Sequence, residues 1–329
     1  MKHLIGLSGF LLAVAIAPLS ASAQFATRPA IVYGAGGKTD KSINEAASLG
    51  VHRYAIAMGV AVAEFEPVNE AQFETVQREV AARGYDPIVV IGPQQAHALV
   101  QVAKEFPFSR FAIIEAMVDL PNVRSVVFRD EEASYLVGMV AAFASKSGKV
   151  GFVGGMDTPS MRRHLCGYQQ GARSAHSGID VIADLAGTWN DPDAGTRLAL
   201  AQFARGVDVI YAEARRTGLA VLQAARDLGK LAIGSAHKGF SDPDTLLTST
   251  AKRIDAAVFQ ALVSVTQRNW RPGEYSVGLA EGVVDWVSEG YNDKQITKGM
   301  FDRIDEARDA IISGKLKVHD FTSTNSCPR

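Results

Sequence analysis

The chain has 329 residues, 47% of them hydrophobic and 21% charged, with a formal net charge of −1. That length exceeds what one hydrophobic core usually organises, and the charge balance offers no concentrated basic field for nucleic acid or an anionic membrane. The two cysteines stand in no CxxC pair and there is no HExxH, so neither a metal nor any other cofactor is expected.

The first segment reads as a leader. Lys2 and His3 precede an almost wholly apolar run from Leu4 to Pro18, and Ala21-Ser22-Ala23 places small residues at −3 and −1 before Gln24. The run is too short for a membrane span and has the layout of a secretory signal peptide. Cleavage after Ala23 leaves about 306 residues and removes Lys2, which makes the net charge −2. A cysteine at the new N-terminus would carry a lipid; Gln24 cannot, so the mature protein is read as a free periplasmic one. In an oxidising compartment Cys166 and Cys327 are expected to form a disulfide, two free thiols being the alternative.

Apolar runs of strand length then alternate with helix-periodic stretches. Strands are expected at Pro29–Gly34, near Val60–Phe65, at Pro87–Ile91, Arg110–Glu115 and Val123–Phe128, with helices through Asn44–Ala47, Asn69–Arg83 and Ala96–Phe106. The rhythm restarts with a helix over Glu131–Ser145 and strands at Lys149–Gly154, Val207–Tyr211 and Leu231–Gly234. Continuous apolar strands separated by helices specify parallel βαβ units. Gly148, Gly206, Gly229 and Gly314 stand where left-handed helix ends need them. The reading is an α/β chain of two doubly wound lobes with about five strands each. Lobe 1 is placed at 24–127 plus about 249–282, and lobe 2 at 128–248 plus about 283–329. Three hinge crossings are expected, near Phe128, Ser249 and Gly282. The helix at Lys252–Arg268 and the run Ser276–Trp286 must find places at sheet edges.

Catalytic signatures are absent. Gly34-Ala35-Gly36-Gly37-Lys38-Thr39 has Val32 where a phosphate loop needs its first glycine and Thr39 where a dinucleotide loop needs its third, and the mature chain has no GxSxG elbow. What remains is a flexible loop at a strand's C-terminal end, the edge where open α/β sheets bind ligands. Asp40, Ser42 and Asn44 follow at a helix start, where they would either meet a ligand's polar edge or cap the helix. The cluster Arg162-Arg163-His164 reads as a solvated helix turn, and Glu131-Glu132 as support for a helix N-terminus.

Several blocks resemble the basic membrane protein (BMP) family of periplasmic binding proteins. Gly37-Lys38-Thr39-Asp40-Lys41-Ser42-Ile43-Asn44 is similar to its G-x-x-D-x-S-F-N signature. Phe128-Arg129-Asp130-Glu131-Glu132-Ala133-Ser134-Tyr135-Leu136-Val137-Gly138 looks like its F-x-x-E-E-x-x-Y-L-x-G block. Lys149–Gly155, Gly167–Ala172, Leu247–Arg253 and Ile312–Val318 continue the likeness in order. The resemblance implies a type I periplasmic-binding fold, an inner-membrane ABC permease as partner, a monomer, and a small ligand of which purine nucleosides are the best-known examples. It implies that Asn44 contacts a base, Tyr211 stacks on it, and Lys252 and Glu115 hold polar edges.

Departures bear on specificity. Ile43 replaces a stacking phenylalanine. Ala236, in Ile233-Gly234-Ser235-Ala236, stands where a ribose-binding carboxylate is usual, and Arg215-Arg216 replace small residues. Trp189, His237 and Lys238 are the residues that would compensate, and Arg215 facing a cleft would suit a carboxylate or phosphate. Alternatives are a non-nucleoside solute, a ligand-sensing subunit for a membrane receptor, and an exported hydrolase.

Overall fold

A computed structural model describes residues 27–40, 42–235, 242–288 and 294–328. The leader and its cleavage site, Ala236, His237 and Lys238 lie outside the described residues. The chain forms two six-stranded sheets rather than two of about five.

The first sheet uses β1 (Ala30–Val32), β2 (Ala63–Phe65), β3 (Ile88–Ile91), β4 (Phe111–Ile114), β5 (Val123–Phe128) and β11 (Gly273–Val277), in the order β11-β5-β4-β3-β1-β2 with every pair parallel. The second uses β6 (Lys149–Gly154), β7 (Asp180–Leu185), β8 (Val209–Glu213), β9 (Leu231–Ser235), β10 (Leu246–Lys252) and β12 (Val284–Trp286), in the order β12-β10-β9-β8-β6-β7. Among the strands of the described residues, only β12 runs antiparallel to its neighbour.

Strand residues alternate between two covered faces, which is why the strands read as unbroken apolar runs. In the first sheet Ala30, Val32, Val90 and Ile113 pack on α2 (Phe73–Ala82) and α3 (Ala96–Glu105). Ile31, Val89 and Ile114 face α1 (Ile43–Met58) and α8 (Ile254–Thr266) on the other side. In the second sheet Val153, Ile210 and Ala232 meet α6 (Pro192–Ala204) and α7 (Arg215–Asp227), while Val150, Phe152 and Val209 meet α4 (Asp130–Ala144) and α5 (Pro159–Ala175). The four glycines expected at left-handed turns all adopt positive φ, from 60° to 93°.

The chain passes between the sheets three times: after β5, after β10 and between β11 and β12. The run Ser276–Trp286 is split, β11 closing an edge of the first sheet and β12 an edge of the second. β10 continues through Ser249 to Lys252, so its crossing falls a few residues later than the sequence suggested. The strand's polar composition, LLTSTAK, hides its end.

The α4–α5 crossing sets the geometry of the site. A Cβ on Gly171 or Gly138 would collide with the carbonyls of Tyr135 and Tyr168, and one on Gly167 would collide with that of Glu131. Glycine at these places lets two helix backbones touch, which brings Arg163, His164 and Gly167 of α5 beside the first turn of α4. Past α9 (Lys298–Ile312), the tail with α10 (Phe321–Thr324) lies along α5. It is stapled there by the Cys166–Cys327 disulfide, with Cα atoms 5.5 Å apart.

Candidate ligand-binding cleft

A cavity of about 720 Å³ opens where the C-terminal ends of strands from both sheets converge. Its floor is a chain of charged groups. Lys252, at the end of β10, donates from Nζ to Glu115 Oε1 at 3.0 Å and to Asp130 Oδ2 at 3.1 Å. Glu115 follows β4 and Asp130 opens α4, so the lysine joins the two sheets. Its ammonium also lies 5.0 Å from the centre of the Phe128 ring. Asp130 is 3.5 Å from His164 Nε2, and His164 Nδ1 is 3.0 Å from the Ser134 hydroxyl.

Burial works against the charge on Asp130, Lys252 and His164, and neighbouring charges reverse it. Burial would raise the Asp130 carboxyl, but Lys252 and His164 hold it well below the usual range. Burial would lower Lys252, and Asp130 with Glu115 drive it up instead. His164 is likewise pulled up against burial by Asp130 and then Glu213. The floor therefore presents fixed carboxylates and cations, suited to hydroxyl and N–H groups of a polar ligand.

The wall on the second sheet carries an aromatic ring. Trp189 lies against Gly155, where any Cβ would overlap the indole, so the ring sits flat at the end of β6. The Arg215 guanidinium lies over the same indole, 5.3 Å from its ring centre. Two lining residues, Glu115 at φ 71° and Arg215 at φ 50°, have left-handed backbone that is unfavourable for a side chain with Cβ. Such conformations cost of order 1–3 kcal/mol and gather at ligand sites.

Of the residues singled out from sequence, Ser42, Ile43, Glu115, Trp189, Arg215 and Lys252 line this cavity. Three others do not. Asp40 caps α1, accepting from the amides of Ser42 at 2.8 Å and Glu45 at 3.1 Å. Asn44 is buried and locks the first loop, donating to the carbonyls of Gly34 and Gly37 and accepting from Gly34 N. Tyr211 is fully buried behind the floor, 2.9 Å from Glu213 and 5.4 Å ring to ring from both Phe152 and Tyr168.

Asp130, Arg163, His164 and Glu213 were missed as lining residues. The expectation of a solvated Arg162-Arg163-His164 turn holds for Arg162, which pairs with Asp157 at 2.6 Å on the surface. It fails for the other two. The close α4–α5 crossing buries His164, and Arg163 is turned inward by Asp320 and the Phe128 carbonyl. Period-3.6 patterning would have placed 163 and 164 on different faces from 162, which was the available signal. Glu131 and Glu132 do stand in the first turn of a helix, buried and outside the cavity lining.

Two doubly wound sheets enclosing a polar cleft at their strand ends define a solute-binding protein of type I periplasmic-binding fold. The chain belongs to the Bmp family, described as ABC transporter substrate-binding protein PnrA-like, which matches residues 30–321. It is 30% identical to the CD4+ T-cell-stimulating antigen of Listeria innocua, covering 88% of this chain and 87% of that one. It is 29% identical to the ABC transporter nucleoside-binding protein BmpA of Lactococcus lactis, covering 88% of each. Among solved structures, an ABC transporter solute-binding protein from Aeropyrum pernix superposes with a TM-score of 0.75 at 28% identity, over 89% of this chain and 93% of that one. The protein is thus an ABC transporter substrate-binding protein, a class whose partners are a small molecule and a permease.

Proposed function

We propose that the protein binds a purine nucleoside or a closely related polar ring compound in this cleft, without chemical change, and presents it to an inner-membrane permease from the periplasm. The observation that carries this reading is the Glu115–Lys252–Asp130 cluster. Carboxylates bridged by a shared ammonium offer charged acceptor oxygens to the vicinal hydroxyls of a ribose. Trp189 supplies a flat apolar wall for a base at the other side of the cavity. The name of the Lactococcus lactis relative agrees with this chemistry. In the reading, the mature chain begins at Gln24 without a lipid anchor and acts as a monomer. One lobe is built on the first sheet and the other on the second, with hinges at the three crossings.

Calorimetric titration with purine and pyrimidine nucleosides, free bases and pentoses tests the proposal. At least one purine nucleoside should bind and be recovered intact. Glu115→Gln should weaken it roughly ten- to hundredfold, the equivalent of one charge-assisted hydrogen bond, with little loss of melting temperature. Absence of binding across the panel, or full affinity in both Glu115→Gln and Trp189→Ala, would overturn it.

A further inference from the structure

The charges lining the cleft are nearly all spoken for. Lys252 is held by Glu115 and Asp130, Arg163 by Asp320, and Asp255 by Arg53 and Arg253. His164 lies against Asp130 and is drawn up further by Glu213, whose carboxylate also takes the Tyr211 hydroxyl. Among the described residues, Arg215 is the one lining cation whose side chain has no carboxylate within ion-pair distance and no hydrogen bond; the contact of its guanidinium is with the indole of Trp189. It is held there by a backbone conformation that a side chain with Cβ resists.

The cavity is therefore two-ended. On the floor the carboxylates of Glu115, Asp130 and Glu213 outnumber the cations Lys252 and His164, and both cations already face a carboxylate, so the floor receives donors and disfavours a ligand anion. The Trp189–Arg215 wall is aromatic and cationic. A neutral base needs only the indole there. A guanidinium beside the ring adds binding energy when the ring itself is negatively charged, because a planar fork of donors matches a delocalised anion.

We propose that the physiological ligand carries an acidic, oxidised ring that is anionic at neutral pH, and that Arg215 is the residue that selects it over neutral purine nucleosides. This rests on the binding function proposed above and names the class of compound within it. The ligand lies with its hydroxyls on Glu115, Lys252 and Asp130 and its anionic ring on Trp189 and Arg215.

Inosine and xanthosine form a matched pair of probes, similar in shape, of which only xanthosine readily loses a ring proton near neutrality. Titrations of the mature protein with each, at low salt, should show xanthosine bound roughly ten- to hundredfold more tightly. Arg215→Gln should collapse that preference, weakening xanthosine by a much larger factor than inosine, and Arg215→Lys should restore part of it. Equal or tighter binding of inosine by the wild type overturns this inference and leaves the nucleoside function standing. Equal weakening of both ligands by Arg215→Gln also overturns it, since the arginine would then be acting on the fold of the wall. If neither nucleoside binds while another purine nucleoside does, this inference falls and the function stands; absence of binding across the whole panel ends both.

Discussion

Glu131 shows how one buried residue records the crowding around the site. It sits in the first turn of α4, 3.5 Å from Arg163, yet its Oε2 accepts no hydrogen bond, and Arg163 spends its own donors on Asp320, Thr322 and Phe128. Burial dominates over the arginine and pushes the Glu131 carboxyl up to about 8. A carboxyl raised in the folded state binds more protons there than in the unfolded chain, so its contribution to stability falls as pH rises. Relative to Glu131→Gln, the wild type should lose about 1.4 kcal/mol per pH unit between about pH 4.5 and about pH 8. Denaturant midpoints of the two proteins across that window check this; parallel curves would show that the carboxylate is ionised and adequately paired. The cleft carboxylate Asp130, depressed instead of raised, contributes in the opposite sense, and comparison of the two proteins cancels it.

At the scale of elements, the tail is an extra support for the cleft. The disulfide, the Gln170–His319 pair of hydrogen bonds at 2.9 and 3.0 Å, and the Arg163–Asp320 fork all bind it to α5. Cys327 lies beyond the segment matched by the family, which ends at residue 321. Opening a loop of 161 residues removes a chain constraint of up to about 5 kcal/mol. Cys327→Ser should therefore lower thermal stability by several degrees; an unchanged melting temperature would mean that the tail's polar contacts suffice without the bridge. The Cys166–Cys327 pairing was legible from compartment and parity, and β5 and β6 from their apolar runs, to the residue. The end of β10 was not legible, because its Thr and Ser residues look like a loop. The inward turn of Arg163 and His164 left only their helical spacing from Arg162 as a signal, because it depends on Gly138 of α4 and Gly167 and Gly171 of α5, which let the two helices touch. Lys252 and Glu115 were found through resemblance, whereas the same resemblance gave no sign that Asn44 would be consumed by its own loop and Tyr211 by the core.

The whole molecule owes its function to having two sheets present complementary halves of one site. Glu115 and Ile43 come from the first sheet and its helices, Trp189, Glu213 and Arg215 from the second, and Asp130 and Lys252 stand at the crossings. The crossings themselves are tied: Arg129 donates to Glu132, Glu281 and the Ser276 carbonyl, and Glu132 accepts from Leu279 N at 2.8 Å. That network clamps the β5–α4 and β11–β12 connections to each other, and Arg253 N, just past Lys252, donates to the Val283 carbonyl at 2.7 Å, so all three crossings are joined. A ligand that touches both halves is expected to stabilise the arrangement in which they are closest. The most direct measurement is solution scattering of the mature protein, alone and saturated with a ligand whose binding has been established by calorimetry. The account predicts a smaller radius of gyration on saturation, and a smaller fractional change in Glu115→Gln at a ligand concentration that just saturates the wild type. Scattering curves that superpose for free and fully bound wild type would contradict it, since a ligand held by both halves cannot leave their spacing untouched.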